Sequence, residues 1–260
     1  MKVSILGCGW VGLPLGAALA VKGHEVQGSK TSPERLGLLK DSGITPHIAR
    51  LEPEFVGDKT WLETDVLVLT LPPERKGDVE TFYPAQIRGA LEVANAQHLV
   101  FTSSTSVYPN LNRVVTEEDA RDPDKPSGRA VLAAEEVLQA HPNVTILRLA
   151  GLYGYDRQPG RRLAGKEVSG GDAPVNLVHR DDVVSTLIKV IEENIRGVFN
   201  VCADAHPSRK EVYTAQAERL GFEPPRFVEP HEVDYKEVSS EKLKGLGYEF
   251  QHGDPFEESP

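Results

Sequence analysis

Apolar and polar positions fall into blocks that alternate between strand and helix character. Residues 2–6 form a short apolar run that stops at a glycine. Residues 13–22 are rich in Ala and Leu and close at Gly23, a residue suited to the position past a helix end. Pro14 is tolerated there only in the first turn. Residues 24–28 read as a weak second strand. Ser32-Pro33-Glu34 then has the form of an N-cap, a first-turn proline and an acid at the positive helix end, opening a helix that stops near Gly43. Residues 65–71 are continuously apolar over a strand's length, the pattern of a central parallel strand buried on both faces, and Pro72-Pro73 ends it. A helix is expected over 79–97, a strand over 99–101 running into Thr102-Ser103-Ser104-Thr105-Ser106, a helix over 129–139 and a strand over 144–149. This alternation predicts an α/β fold with a parallel sheet and helices on both faces.

After residue 151 the pattern loosens. Residues 151–174 hold six glycines and two prolines, which reads as loop. Strands are expected at 176–178 and 198–201, flanking a helix over about 181–194. Ser208-Arg209-Lys210-Glu211 has the form of a capping box, opening a helix that ends at Gly221. The expected organisation is a domain over 1–151 and a smaller lobe over 152–260, with about 175–203 returning to the sheet of the first.

Composition narrows the functional classes. The chain has 260 residues and a net charge of −10, a poor field for nucleic acid or an anionic membrane. Only two cysteines occur, Cys8 and Cys202, so no disulfide framework is expected. With a strand at the N-terminus in place of a signal peptide, a cytoplasmic location is expected. None of the eight histidines stands at a metal-ligand spacing, so no metal site is expected. Ser103 and Ser104 lack the G-x-S-x-G surroundings of a serine hydrolase.

The most informative motif is Gly7-Cys8-Gly9-Trp10-Val11-Gly12, with the spacing G-x-G-x-x-G between a strand and a helix. The first glycine makes the tight turn, the second lets backbone approach a pyrophosphate, and the third lets helix and strand pack closely. The pyrophosphate then rests on the positive helix end. The fold class expected is therefore a Rossmann-type doubly wound parallel sheet with a small C-terminal substrate lobe. NAD sites place a carboxylate at the tip of the second strand, about twenty residues on. That tip reads Gln27-Gly28-Ser29-Lys30-Thr31 and has no acid. Lys30, with Ser29, Thr31 and Arg35, suits a 2′-phosphate, so NADP(H) is preferred and NAD(H) stays open as the alternative.

Further along the chain, Phe101-Thr102-Ser103-Ser104-Thr105-Ser106-Val107-Tyr108, Leu147-Arg148-Leu149-Ala150-Gly151-Leu152-Tyr153-Gly154 and Val175-Asn176-Leu177-Val178-His179-Arg180-Asp181-Asp182-Val183 follow in order. With Val198-Phe199-Asn200-Val201 and the glycine loop, they resemble the extended or atypical short-chain dehydrogenases/reductases of the NAD-dependent epimerase/dehydratase group, in particular its YeeZ-like branch. The resemblance implies cofactor contacts from Gly7, Gly9, Trp10, Val11, Gly12, Thr70, Leu71, Pro72 and Ser103. It implies a small-molecule substrate near Arg148 and Tyr153, and it allows a homodimer through the helices after strands four and five. Catalysis in that group uses a Ser or Thr and a Tyr-x-x-x-Lys pair, whose lysine lowers the tyrosine pKa. Ser104 matches the serine. Ser127 and Val131 stand at the tyrosine and lysine places, and neither can perform those roles. Tyr108 and Tyr153 are substitute acids by position, or packing residues. Ser127 is readable as a ligand's hydrogen-bond partner or as the N-cap of the helix after it, and His179 before Asp181-Asp182 as a catalytic pair or as a histidine preceding the acidic cap of the next helix. Arg157, Arg161, Arg162 and Lys166 form a basic cluster suited to a phosphate or carboxylate. Two functions follow: an NADP(H)-dependent oxidoreductase or isomerase with an atypical acid–base site, or a non-catalytic dinucleotide sensor or partner-binding module.

Overall fold

In the computed structural model, residues 1–73, 77–230 and 232–256 are described. The chain packs as two compact units. The first comprises Met1–Val107, Arg121–Arg148 and Val184–Val198; the second comprises Tyr108–Ala120, Leu149–Val183 and Phe199–Pro260.

The main sheet has eight strands: β1 (Lys2–Leu6), β2 (Glu25–Lys30), β3 (Thr45–Leu51), β4 (Phe55–Gly57), β5 (Glu63–Leu69), β6 (Asn95–Ser104), β7 (Val144–Leu149) and β8 (Gly197–Val201). Their order across the sheet is β8-β7-β6-β5-β1-β2-β3-β4. The pairs β1–β2, β1–β5, β2–β3 and β5–β6 are parallel, and β4 pairs antiparallel with β3 at the edge. The strand order reverses at β1, so the chain leaves that strand's C-terminal end at a topological switch point, where ligands of open α/β sheets bind. Among the described residues, the helices of six or more residues are α1 (Gly12–Val21), α2 (Leu36–Asp41), α3 (Val79–Val93), α4 (Pro126–Gln139), α5 (Arg180–Glu192) and α6 (Arg209–Arg219).

The central strands are apolar because both faces are covered. Leu67, Val68 and Leu69 of β5 and Val100 and Phe101 of β6 have no exposed surface. Each side chain so buried contributes about 1.5–3 kcal/mol. Strand β3 escapes a search for apolar runs. Its sequence TPHIARL is mostly half-buried or exposed, and it is held by pairing on both sides and by His47, whose ring stacks on Trp61 with centroids 4.7 Å apart.

Several boundaries differ from expectation. Ser32 does not cap α2; it precedes a single 3-10 turn, Pro33–Arg35, and makes no side-chain cap hydrogen bond. Helix α4 begins at Pro126, whose fixed φ suits the first helical position, so Ser127 lies inside the first turn and is not the cap. Helix α5 begins at Arg180, so Asp181 and Asp182 are also within the helix. The Ser208 capping box is present: Ser208 Oγ accepts from the Glu211 backbone N–H at 3.2 Å, and Glu211 accepts from the Ser208 N–H at 2.8 Å. In the second unit, two-stranded parallel pairs join Gly151–Tyr153 to Leu177–His179, Glu167–Val168 to Arg226–Phe227, and Val114–Val115 to Glu237–Val238. Among the described residues, no helix is long and apolar enough to cross a membrane.

Candidate cofactor and substrate sites

Register brings the cofactor candidates together. Ile5 pairs with Gly28, Leu6 with Leu69, and Leu69 with Phe101. Gly7 and Thr70 therefore follow the ends of β1 and β5, and Ser29 and Thr102 lie near the ends of the neighbouring β2 and β6, on one edge. Gly7 adopts φ +101°, which favours glycine. A Cβ on Gly12 would stand 2.6 Å from the Gly7 carbonyl oxygen and 2.9 Å from Thr70 Oγ1, so the third glycine sets the close approach of α1 to the loop. Gly9 differs: a Cβ there meets nothing nearer than 3.9 Å, leaving room above its backbone. Thr70 braces the loop by donating from Oγ1 to the Gly7 carbonyl at 2.5 Å. Helix α1 starts after Val11 with no side-chain cap and no acid in its first turn. The first-turn N–H groups of an α-helix lack intrahelical acceptors and carry positive partial charge. The loop thus fits a dinucleotide pyrophosphate. Tyr83, which the sequence reading did not single out, is buried and donates to the Leu71 carbonyl at 2.6 Å, fixing the turn into Pro72.

At the strand-two tip, Ser29 is buried and its Oγ accepts from the Gly7 N–H at 3.1 Å, so it supports the loop from beneath. Lys30 folds back, its ammonium donating to the Cys8 carbonyl. Burial draws the Lys30 pKa down; the Cys8 thiol acts the other way, and Arg35 adds to the lowering. Thr31 and Arg35 are exposed. Arg50 joins them, donating from Nε to the Thr31 carbonyl at 3.0 Å. It was missed because β3 was missed. The tip is thus cationic on Lys30, Arg35 and Arg50; residues 27–31 hold no carboxylate, and Glu52 stands 4.0 Å from Arg50. Cys8 lies beneath this tip with its pKa pushed up to about 12 by burial, and burial likewise pushes Cys202 up. Both thiols are therefore expected to resist a disulfide-exchange reagent at pH 8 in the native protein and to react fully in denaturant. Rapid native labelling of either contradicts this packing.

At the end of β6, Ser104 is half-buried and its Oγ accepts from the Ser106 N–H at 3.1 Å. Gly128 lets α4 approach this turn: a Cβ there would lie 2.3 Å from the Ser106 carbonyl oxygen. Ser127 beside it is half-buried, and Val131 one turn on is buried. A residue the sequence reading passed over stands a further turn along. Glu135 has no exposed surface and takes a forked contact from Arg148, Nε to Oε1 at 3.0 Å and Nη2 to Oε2 at 2.7 Å. Ser103 donates its hydroxyl to the same carboxylate. Arg148 and Ser103, expected at the substrate and the cofactor, thus have their side chains committed to a buried network. Such a guanidinium needs a carboxylate beside it, and Glu135 supplies one.

Within the second unit, Tyr108 is buried and donates to Asn200 Oδ1 at 2.5 Å. Tyr153 is buried among Val175, Leu177 and Val212. Both have the surroundings of packing residues. The basic residues are better placed. Arg157, Arg161 and Arg162 line a cavity of about 550 Å³ with Asp156, Gln158 and Tyr213; Lys166 turns to the Arg162 carbonyl at 3.0 Å. A second cavity of about 640 Å³ carries opposite charge, with Asp172, Glu232, Asp234 and Glu237 on its wall.

Comparison with known proteins gives a consistent picture. The NAD dependent epimerase/dehydratase family matches residues 72–202. The chain is 38% identical to Protein YeeZ of Escherichia coli (strain K12), over 98% of this chain and 97% of that protein. It is 28% identical to a 3-diazoavenalumate denitrifying reductase of Streptomyces sp, over 87% of this chain and 84% of that one. Among solved structures, MoeE5 in complex with UDP-glucose and NAD superposes with a TM-score of 0.79 at 22% identity, covering 98% of this chain and 95% of that one. The chain therefore belongs to the NAD dependent epimerase/dehydratase family, whose cofactor is a nicotinamide dinucleotide.

Proposed function

We propose that this chain is an NADP(H)-dependent oxidoreductase or isomerase for a small polar, anionic substrate of the sugar-derivative type, working without a tyrosine–lysine pair. The observation that carries the cofactor choice is the strand-two tip, where Lys30, Arg35 and Arg50 outnumber the one neighbouring carboxylate, Glu52, and residues 27–31 hold no acid. A 2′-phosphate would draw the Lys30 ammonium from the Cys8 carbonyl to itself and offset the burial that lowers its pKa. Lys30→Ala is expected to weaken NADPH binding by about tenfold and leave NADH unchanged, as one charge-assisted contact is worth about 1.5–3 kcal/mol. Equal losses for both cofactors, read by nicotinamide fluorescence, would count against the assignment.

Substrate chemistry follows from charge. The cavity lined by Arg157, Arg161 and Arg162 suits a phosphate or carboxylate, and the acidic cavity does not. A nucleotide sugar fits that requirement, and UDP-glucose is the ligand named for MoeE5. The relative named as a reductase supports redox chemistry over hydrolysis. A bound nicotinamide supplies or accepts hydride. This chain's part is to orient the substrate and to hydrogen-bond its oxygen through a hydroxyl, for which Ser104 and Ser127 are the candidates in the first unit. A serine hydroxyl has no accessible anion near neutral pH, so the proton must come through it from water. Turnover of NADPH against a panel of carbonyl compounds and nucleotide sugars tests this reading, with loss of turnover in Ser104→Ala expected.

The Ser127 and Val131 replacement favours a second reading, a dinucleotide sensor without turnover. It predicts no NADPH consumption across the panel and a partner interaction that changes with cofactor. Partner binding identical with and without cofactor contradicts it.

A further inference from the structure

Within the second unit, three residues outside the proposed cofactor and anion sites converge: His179 after the strand Leu177–His179, Asp181 in the first turn of α5, and His252 in the C-terminal segment. One nitrogen of each imidazole and one carboxylate oxygen lie within 4.8 Å of one another. The two rings are in contact, with centroids 3.9 Å apart at 45°. His179 Nδ1 is 3.8 Å from Asp181 Oδ2. Donors held about 2.0–2.2 Å from one ion stand about 3.4–4.4 Å apart, so this pair already has a ligating separation. The half-buried His252 ring supplies the third donor.

Two independent features support the cluster. First, His179 has no exposed surface, and its Nε2 has no hydrogen-bond partner among the described residues. Its Nδ1, the nitrogen that faces the Asp181 carboxylate, accepts a long 3.3 Å contact from the Asp181 N–H. A buried imidazole without a strong partner is costly, and an ion at Nδ1 would replace this long contact with a strong one. Second, His252 is held in place by a dedicated clamp. Asp182 has no exposed surface and accepts from the backbone N–H groups of Gln251 at 2.7 Å and His252 at 3.0 Å, and from the Tyr248 hydroxyl at 3.1 Å. Gly154 packs flat against the His179 ring at φ +117°, a position that a Cβ would close.

We propose that His179, Asp181 and His252 bind one divalent ion of the zinc class, fastening the C-terminal segment to the head of α5. Two imidazoles and one carboxylate suit a borderline transition ion rather than magnesium or calcium, and water fills the fourth position. The facing groups are compatible. Tyr155 donates its hydroxyl to Asp181 Oδ2 at 2.8 Å, orienting the carboxylate, and the Arg180 guanidinium rests over the Tyr155 ring at 3.7 Å.

The test is zinc binding to the full chain after chelator treatment, measured by competition with a chromogenic chelator. The expected result is one zinc per chain at roughly micromolar affinity or tighter, with the unfolding midpoint raised by about 5 °C. His252→Gln and Asp181→Asn should each weaken binding by at least about tenfold, while His141→Gln, elsewhere on the surface, should not. The cobalt(II) form should show a visible absorption band that His252→Gln removes. No stoichiometric binding by the wild-type chain, or equal binding by all three variants, overturns the proposal. The readouts do not involve NADPH or turnover, so failure here leaves the enzymatic reading untouched.

Discussion

Replacing Gly9 with aspartate is expected to cut nicotinamide dinucleotide affinity by about a hundredfold or more, close to 3 kcal/mol, while leaving the fold intact. The site distinguishes the loop's three glycines. Gly7 needs its positive φ, and Gly12 has no space for a Cβ against the Gly7 carbonyl and Thr70. Substitution at either would damage fold and binding together. Gly9 has an ordinary φ and open space above it, so a side chain there costs the fold little. It would occupy the approach to the helix end, where a pyrophosphate needs bare backbone. An aspartate adds a negative charge against two phosphates. Binding is read by nicotinamide fluorescence and folding by urea denaturation of the same sample. Retained affinity in a folded Gly9→Asp protein would mean that the cofactor does not use this loop.

The second large effect is on stability. Glu135→Ala is expected to lower the unfolding free energy by about 3–5 kcal/mol, the cost of leaving a buried charge without its partner. Arg148 is 4% exposed and its guanidinium is forked onto the Glu135 carboxylate, with Ser103 donating to the same group. Water cannot replace that carboxylate in place. The double variant Glu135→Gln with Arg148→Met removes both charges and should recover much of the loss, because a buried pair costs more to break than to replace. Urea midpoints of the single and double variants measure this. A single-variant loss below about 1 kcal/mol would place the pair in the class of solvated ion pairs. Ser103 adjoins Ser104, so Glu135→Gln should also reduce turnover more than NADPH affinity.

How legible the molecule was depends on what each element buries. Strands β1 and β5 announce themselves as apolar runs because both their faces are covered, and the turn from β1 through the glycines into α1 is legible because its spacing is set by local backbone geometry. Strand β3 carries Pro46, His47 and Arg50 near a sheet edge, so nothing apolar marks it, and Arg50 was lost from the cofactor tip with it. The cap alternative for Ser127 fails because Pro126 already carries the signal for the first helical position. Glu135 resembles any solvated helix carboxylate, since its partner comes from another element and local sequence holds no trace of burial. Arg148 and Tyr153 were recognised as notable and placed at the substrate, whereas their surroundings are a buried ion pair and an apolar cluster. The cluster of His179, Asp181 and His252 is invisible in sequence spacing because His252 lies far along the chain and is brought to His179 by tertiary contacts, the Asp182 clamp among them.

The most direct measurement is a calorimetric titration of the wild-type chain with NADPH and with NADH under one buffer and salt condition. The expected result is one NADPH per chain, bound about tenfold more tightly than NADH, because the strand-two tip offers cations to a 2′-phosphate and no carboxylate to a ribose hydroxyl. Tighter binding of NADH, or no heat with either cofactor at millimolar concentration, would contradict the account of the loop and its neighbouring cations.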